Sequence, residues 1–339
     1  VRQDTGAAQT ALAADDKGTL ALGEYQNVDC IRARDGLVYA AACDGAALKK
    51  CSSDLVRTDG GHTAAVLTVD GELTGFAFDG SGDLWLSILT PGGGSLCRAA
   101  HDSWGTAVEQ VVTQIDGAPL GAVSAVEAAP DGRIYFAVAA AAGAADGLES
   151  TLRTELLAHT GTGCVYVYDP VARSVQKVLG GVAGAAGLAL SPDGSTLYVS
   201  DLASRCVWRV SADAQDLTAG GKNCSSLVSG LPGYPGALAM DPDGTLYIGY
   251  RWARSSWLEK NAGSTLLRGI ALRAGRNLQE KLFSLPADAP CTEAVDTADG
   301  SWQRVVSGRG AGSVTALCPV ESRLYLGLAG SEKVRSANL

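Results

Sequence analysis

Residues 186–201 read AGLALSPDGSTLYVSD, an apolar run, a Pro-Asp-Gly turn and a second apolar run centred on Tyr198. Two β-prone runs joined by an Asp-Gly turn are the strongest short signal for a β-hairpin. Outward from this stretch the same unit recurs five times: DCIRARDGLVYAAA (29–42), LTGFAFDGSGDLWLSI (73–88), VSAVEAAPDGRIYFAV (123–138), PGALAMDPDGTLYIGY (235–250) and VTALCPVESRLYLGLA (314–329). The aromatic markers Tyr39, Trp85, Tyr135, Tyr198, Tyr247 and Tyr325 are spaced by 46, 50, 63, 49 and 78 residues. A period of about 40 to 50 residues is that of a propeller blade. The pattern predicts an all-β, six-bladed β-propeller with short helical insertions, formed by residues 1–339 as one domain.

Each copy supplies the two inner strands of a blade, enclosed by neighbouring blades and therefore nearly continuously apolar. The outer strands fall between copies, in runs such as CVYVYDP, SVQKVLGG and CVWRVSA. Two long intervals require insertions. The first, 146–160, places Leu148, Leu152, Leu156 and Leu157 at helical spacing, as an amphipathic helix over one face of the disc. The second, 250–285, is an extended or helical excursion.

Composition excludes several functions. With a net charge of −9 and no run of Lys or Arg, the chain would repel a phosphate backbone, so nucleic acid is not an expected partner. No apolar stretch approaches the roughly 20 residues of a membrane span. The start, VRQDTGAAQ, has neither Met nor a signal-peptide core, as expected of a processed or trimmed chain. Nine cysteines, without CxxC or Cys/His spacing, point to disulfides rather than zinc and to a secreted, extracellular or lumenal protein. Cys43 with Cys51 suits a loop-closing bridge, and Cys206 with Cys224 a cross-strand one. Cys30, Cys97, Cys164, Cys291 and Cys318 cannot be paired from sequence. Asn223 heads an Asn-Cys-Ser glycosylation sequon.

Longer segments resemble the strictosidine synthase-like family. DGLESTLRTELLAHTGTGCVYVYDPVARSVQKVLGG (146–181) followed by LSPDGS is similar to that family's helical excursion, GRLLKYDP-like strand and turn. LVSGLPGYPGALAMDPDGTLYIGY (227–250) resembles its LPGYPDNI-type blade, TQIDGAPLGAVSAVEAAPDGRIYF (113–136) an upstream segment, and VTALCPVESRLYLG (314–327) its last blade. The resemblance implies an amine–aldehyde condensation or, in relatives of this propeller, ester or lactone hydrolysis, with Ca²⁺ ligands in the metal-dependent ones at the starts of the inner strands. This sequence departs from that pattern. Ser124 and Ala125 stand in place of Asn-Asp; Ala185, Ala186 and Gly187 in place of Pro-Asn-Gly; Pro235, Gly236 and Ala237 in place of Pro-Asp-Asn; and Thr315 and Ala316 in place of a carboxylate.

A hard divalent cation needs about six oxygen ligands, several of them anionic, and such positions do not supply them. The expectation is therefore a site without metal, cofactor or catalytic residue, on a structural or protein-interaction module. The alternative is an ester or lactone hydrolase, or a condensing enzyme, whose catalytic groups have moved. His62, His101 and His159 have no acidic partner at a motif spacing. Asp29 and Glu127 are the acids nearest the inner-strand starts; Asp29 could face the channel, and a solvated or turn-capping role is expected of both. No GxSxG, HExxH or GxxxxGK[ST] motif occurs.

Overall fold

Asp and Gly close the inner hairpins because a tight two-residue turn needs positive φ. In the first hairpin Asp35 has φ 52° and Gly36 φ 75°, the handedness that matches the twist of the flanking strands. The same demand places Gly82, Gly132, Gly194 and Gly244 at φ between 73° and 90° in the next four hairpins. The computed structural model describes residues 10–11, 20–21, 25, 27–44, 48–58, 63–141, 146–261, 263–275, 278–279, 290–307, 313–331 and 333–339.

These residues form a six-bladed β-propeller. Blade one comprises Asn27–Arg34, Leu37–Cys43, Ser52–Thr58 and Thr63–Asp70; blade two Glu72–Phe78, Leu84–Thr90, Gly93–Ala99 and Glu109–Val112. Blade three comprises Val123–Ala128, Ile134–Val138, Gly163–Asp169 and Ser174–Val182; blade four Ala185–Leu190, Thr196–Asp201, Cys206–Ser211 and Ser225–Ser229. Blade five comprises Gly233–Met240, Thr245–Ala253, Pro290–Asp296 and Trp302–Ser307. Blade six takes Val314–Val320, Arg323–Leu328 and Lys333–Asn338 from the C-terminal end, and its fourth strand, Leu20–Ala21, from the other end of the chain, antiparallel to Lys333 and Val334. That exchange closes the ring. Between blades three and four, Tyr135, Val165, Leu188, Leu197 and Val199 pack into one cluster, the arrangement that makes the inner strands apolar on both faces.

Inner strands begin, and second strands end, on one face of the disc, and both insertions leave from that face. The first is the helix α1 (Leu148–Ala158), between the second and third strands of blade three. Leu148, Leu152, Leu156 and Leu157 are all buried, joined by Leu48, Leu202, Tyr234, Trp252 and Leu258. Each such leucine contributes roughly 1.5–3 kcal/mol relative to exposure. The second insertion starts later than the sequence implied. Tyr250–Ala253 continue the strand of blade five, and only then come α2 (Ser256–Lys260) and α3 (Thr265–Arg273). Arg268 of α3 donates to the carbonyls of Leu156 (2.9 Å) and Leu157 (2.8 Å), satisfying the C-terminal end of α1 and tying the insertions together.

The structure brings the sulfurs of Cys43 and Cys51 to 2.9 Å, both at the edge of one blade-one connection. It does not bring Cys206 to Cys224. Cys206 faces Ser229, while Cys224 lies beyond the Arg209–Ser225 pair, about 13 Å along the strand from Cys206 and past the reach of a disulfide. The sequence placed both cysteines near strand starts but could not show that these strands run antiparallel. Cys30, Cys97 and Cys318 are buried, Cys164 is half-buried, and the side chain of Cys291 lies outside the described residues. Asn223 is exposed in a turn at φ 65°.

Candidate functional site

In every blade the register of the inner two strands slips near the start of the inner strand: after Val28, Leu73, Val123, Ala185, Pro235 and Val314. The bulged residues, in blade order, are Asp29, Thr74, Ser124, Ala186 with Gly187, Gly236 with Ala237, and Thr315. A bulge re-aims a side chain out of the ladder, and here it turns one position per blade towards the propeller axis. Asp29, Thr74, Ser124, Ala186, Ala237 and Thr315 line a cavity of about 30 Å³, room for a water or two and far too little for a sugar lactone.

Small residues on this ring answer to packing between blades. A Cβ on Gly187 would stand 2.3 Å from the carbonyl oxygen of Gly236 in the next blade. The hydroxyls stitch neighbouring blades: Thr74 donates to Val123 O (2.7 Å), Ser124 to Ala185 O (2.6 Å) and Thr315 to Val28 O, while Ser200 of blade four donates to Gly236 O (2.8 Å). Ser124 and Thr315, which the sequence marked only as lost ligands, are thus inter-blade hydrogen-bond donors. Replacing Ser124 by Ala is expected to lower unfolding free energy by about 1–2 kcal/mol, read as a lower urea midpoint with an unchanged slope.

The channel mouth is charged, although five of the six ring residues are small and uncharged. Asp29 and Arg251 are each 7% exposed, with Asp29 Oδ1 3.6 Å from Arg251 Nη2. Arg251 Nε donates to Glu149 Oε2 at 2.9 Å, and Arg153 Nη2 to Glu149 Oε1 at 3.2 Å. Glu72, at the start of blade two, accepts from the backbone N–H of Leu148 at 3.0 Å. It takes the place of a side-chain N-cap that Gly147 cannot supply, and a Cβ on Gly147, already at φ 90°, would stand 2.9 Å from Glu72 Oε2. The first turn of α1 therefore straps blade two to blade five across the axis.

Burial raises the Asp29 carboxyl above its usual range, with Arg251 opposing and Glu149 reinforcing the rise. Burial, together with repulsion from Asp29, raises Glu72 to about 7. Burial also acts to raise Glu149, but Arg251 and Arg153 outweigh it and hold that carboxyl low. The cluster therefore retains a proton near neutral pH. Further along the axis Arg32, which lines the same cavity, binds Glu127 at 2.5 Å and Val126 O at 3.3 Å. Two ion pairs thus plug the channel. Asp29 and Glu127, expected to be solvated or turn-capping, are instead both paired with arginine.

The two described histidines do not join this site. His101 is exposed on a short turn against Trp104, His159 is the exposed left-handed residue ending α1, and neither lines the cavity; His62 lies outside the described residues. Among the described residues, one group of three metal-capable side chains closes to within 4.8 Å, Cys43, Asp44 and Cys51, and it sits in the blade-one connection. The channel residues do not fit a Ca²⁺ ion of the kind described for relatives. Ala and Gly offer no side-chain ligand, the ring hydroxyls bring no negative charge, and the single ring carboxylate faces a buried guanidinium.

Glu72, Glu149 and Arg251 were not found by reading the sequence. Arg251 fell in a stretch read as insertion, and Glu149 reaches the site through a helix whose position only the fold defines. Asp29 was detectable: aligned on their apolar runs, the six copies read Asp29-Cys-Ile, Thr74-Gly-Phe, Ser124-Ala-Val, Ala186-Gly-Leu, Gly236-Ala-Leu and Thr315-Ala-Leu, and Asp29 is the one acid of that column.

Residues 102–256 match the family described as SMP-30/Gluconolactonase/LRE-like region. No curated protein matches the chain. Among solved structures it is similar to a gluconolactonase from Xanthomonas campestris, with 15% identity, a TM-score of 0.62 and coverage of 98% of this chain and 94% of that one. A luciferin-regenerating enzyme gives 16%, 0.59 and 95% of each chain. The calcium-binding protein regucalcin from Agrobacterium tumefaciens gives 15%, 0.55, and 94% and 87%. At these identities the likeness establishes the propeller. The expectation of a six-bladed propeller is met, and the resemblance to strictosidine synthase-like proteins in particular is not among these findings.

Proposed function

We propose that this chain is a non-catalytic propeller, strictosidine synthase-like in its blade order and insertions, that works as a structural or interaction module. The observation that carries this reading is the placement of Arg251. Its guanidinium stands among Asp29, Glu149 and Glu72 at the channel mouth, so the place a metal would take beside these acids is held by a cation of the chain itself. The narrow cavity supports the same reading. An oxidising compartment belongs to it, supported by the close approach of the Cys43 and Cys51 sulfurs.

A second reading is favoured by one observation. Glu72, with its carboxyl near 7, has the proton affinity of a general base, and the matched family includes gluconolactonases by name. Assaying the purified protein on δ-lactones and aryl esters, with and without millimolar Ca²⁺, separates the two. The non-catalytic reading expects rates equal to buffer. Turnover lost in Glu72→Gln would establish the metal-independent hydrolase instead, and Ca²⁺-dependent turnover lost in Asp29→Asn a metal-dependent one.

A further inference from the structure

We infer that the insertion over the channel mouth carries a docking surface for anionic lipid. The proposal goes beyond the reading above, since the surface lies on the insertion and does not depend on what the channel does. Helix α3 turns Ala271 and Arg268 towards the rest of the lid and leaves Leu266, Leu267 and Ile270 73%, 41% and 55% exposed. Six large apolar side chains are exposed among the described residues, and four of them, these three and Leu278, come from this one insertion. Scattered apolar residues need no explanation, but a cluster on one short element does.

The charge of the segment is opposite to that of the molecule. Residues 254–285 hold six Lys and Arg against two Glu, in a chain whose net charge is −9. Lys260, at the end of α2, and Arg273, at the end of α3, are exposed and flank the apolar ridge in sequence. Aliphatic side chains flanked by cations are the composition of a helix that lies in the headgroup boundary of an anionic bilayer. A protein partner fits less well. Three exposed aliphatic side chains offer far less than the roughly 800 Å² per partner of a standard interface, and the ridge itself lacks the aromatic anchors that dominate such contacts. None of the described helices is long and apolar enough to cross a membrane, so the association is with the surface.

The test uses the full chain in co-sedimentation with phosphatidylcholine vesicles, with and without phosphatidylserine. Binding is expected only with phosphatidylserine and should weaken as NaCl rises. Leu266→Asp with Ile270→Asp, and separately Lys260→Glu with Arg273→Glu, should each reduce the partition coefficient about tenfold or more, with an unchanged thermal midpoint because all four side chains are exposed. Absence of binding at low salt, or equal binding by the variants, overturns the proposal. So does a concentration-dependent dimer that the same substitutions abolish while vesicles bind nothing, which would make a second copy the occupant. The lactone assay is independent: turnover together with variant-sensitive vesicle binding would sink the non-catalytic reading and leave this surface standing.

Discussion

Arg251→Met should lower the unfolding free energy by about 3–5 kcal/mol at pH 7, the usual cost of stranding buried carboxylates without their cation. Methionine fills much of the volume of arginine, so most of the loss is electrostatic rather than a cavity. The guanidinium is 7% exposed and faces Asp29 and Glu149, with Glu72 near enough to raise its affinity for its proton further. Two consequences separate this account from a simple packing defect. The deficit should shrink as the pH falls from 7 towards 4, because the stranded acids, raised further once Arg251 no longer opposes their burial, take up protons in that range. Adding Asp29→Asn and Glu149→Gln should restore most of the stability at pH 7, because a buried ion cluster replaced as a whole costs little. Urea midpoints of the single and triple variants give both answers. A deficit constant from pH 7 to pH 4 would mean that Arg251 acts through its bulk.

Glu72→Gln should stabilise the protein in alkaline solution and hardly change it in acid. The Glu72 carboxyl is raised from 4.5 to about 7, so the folded state holds its proton more tightly than the unfolded chain does. Stability tied to a raised carboxyl is fully present below the unfolded value and is lost as the pH rises through the folded one. For Glu72 that window runs from 4.5 to about 7 and spans about 3 kcal/mol at 1.36 kcal/mol per pH unit. Asp29, also raised, acts in the same direction. Glu149, held low, acts in the other, its contribution lost as the pH falls through its folded value. Glutamine keeps an oxygen for the N–H of Leu148 and never ionises. Its advantage over the native residue should grow from near zero at pH 4 to about 3 kcal/mol at pH 8, read from urea midpoints across that range. Parallel pH profiles for the two proteins would remove Glu72 from the buried cluster.

The blades were legible because their signals are local. An Asp-Gly turn between apolar runs requires nothing distant, and Leu148, Leu152, Leu156 and Leu157 declare a helix by spacing alone. Closure of the ring by Leu20–Ala21 was not legible, since a two-residue strand carries no period and its partner lies more than 300 residues away. The site was half legible for a similar reason. Ring positions follow from the repeats, and Ser124, Ala186, Gly236 and Thr315 do fall on them, but the sequence could state only what those residues lack. Their use in clipping blade to blade depends on which carbonyl the neighbouring strand presents. Arg251 and Glu149 meet Asp29 only because a strand end, a helix start and a bulge converge on the axis from three blades.

The claim at the centre of this account is that Arg251 serves as the cation of the channel mouth, and titration calorimetry of the chelator-treated native protein with Ca²⁺ tests it most directly. The account predicts no binding heat and no shift of the thermal midpoint at millimolar Ca²⁺, since a ligand of the native state must raise apparent stability. One Ca²⁺ bound per chain, with a raised midpoint, both lost in Asp29→Asn, would contradict it and return the chain to the metal-dependent hydrolases.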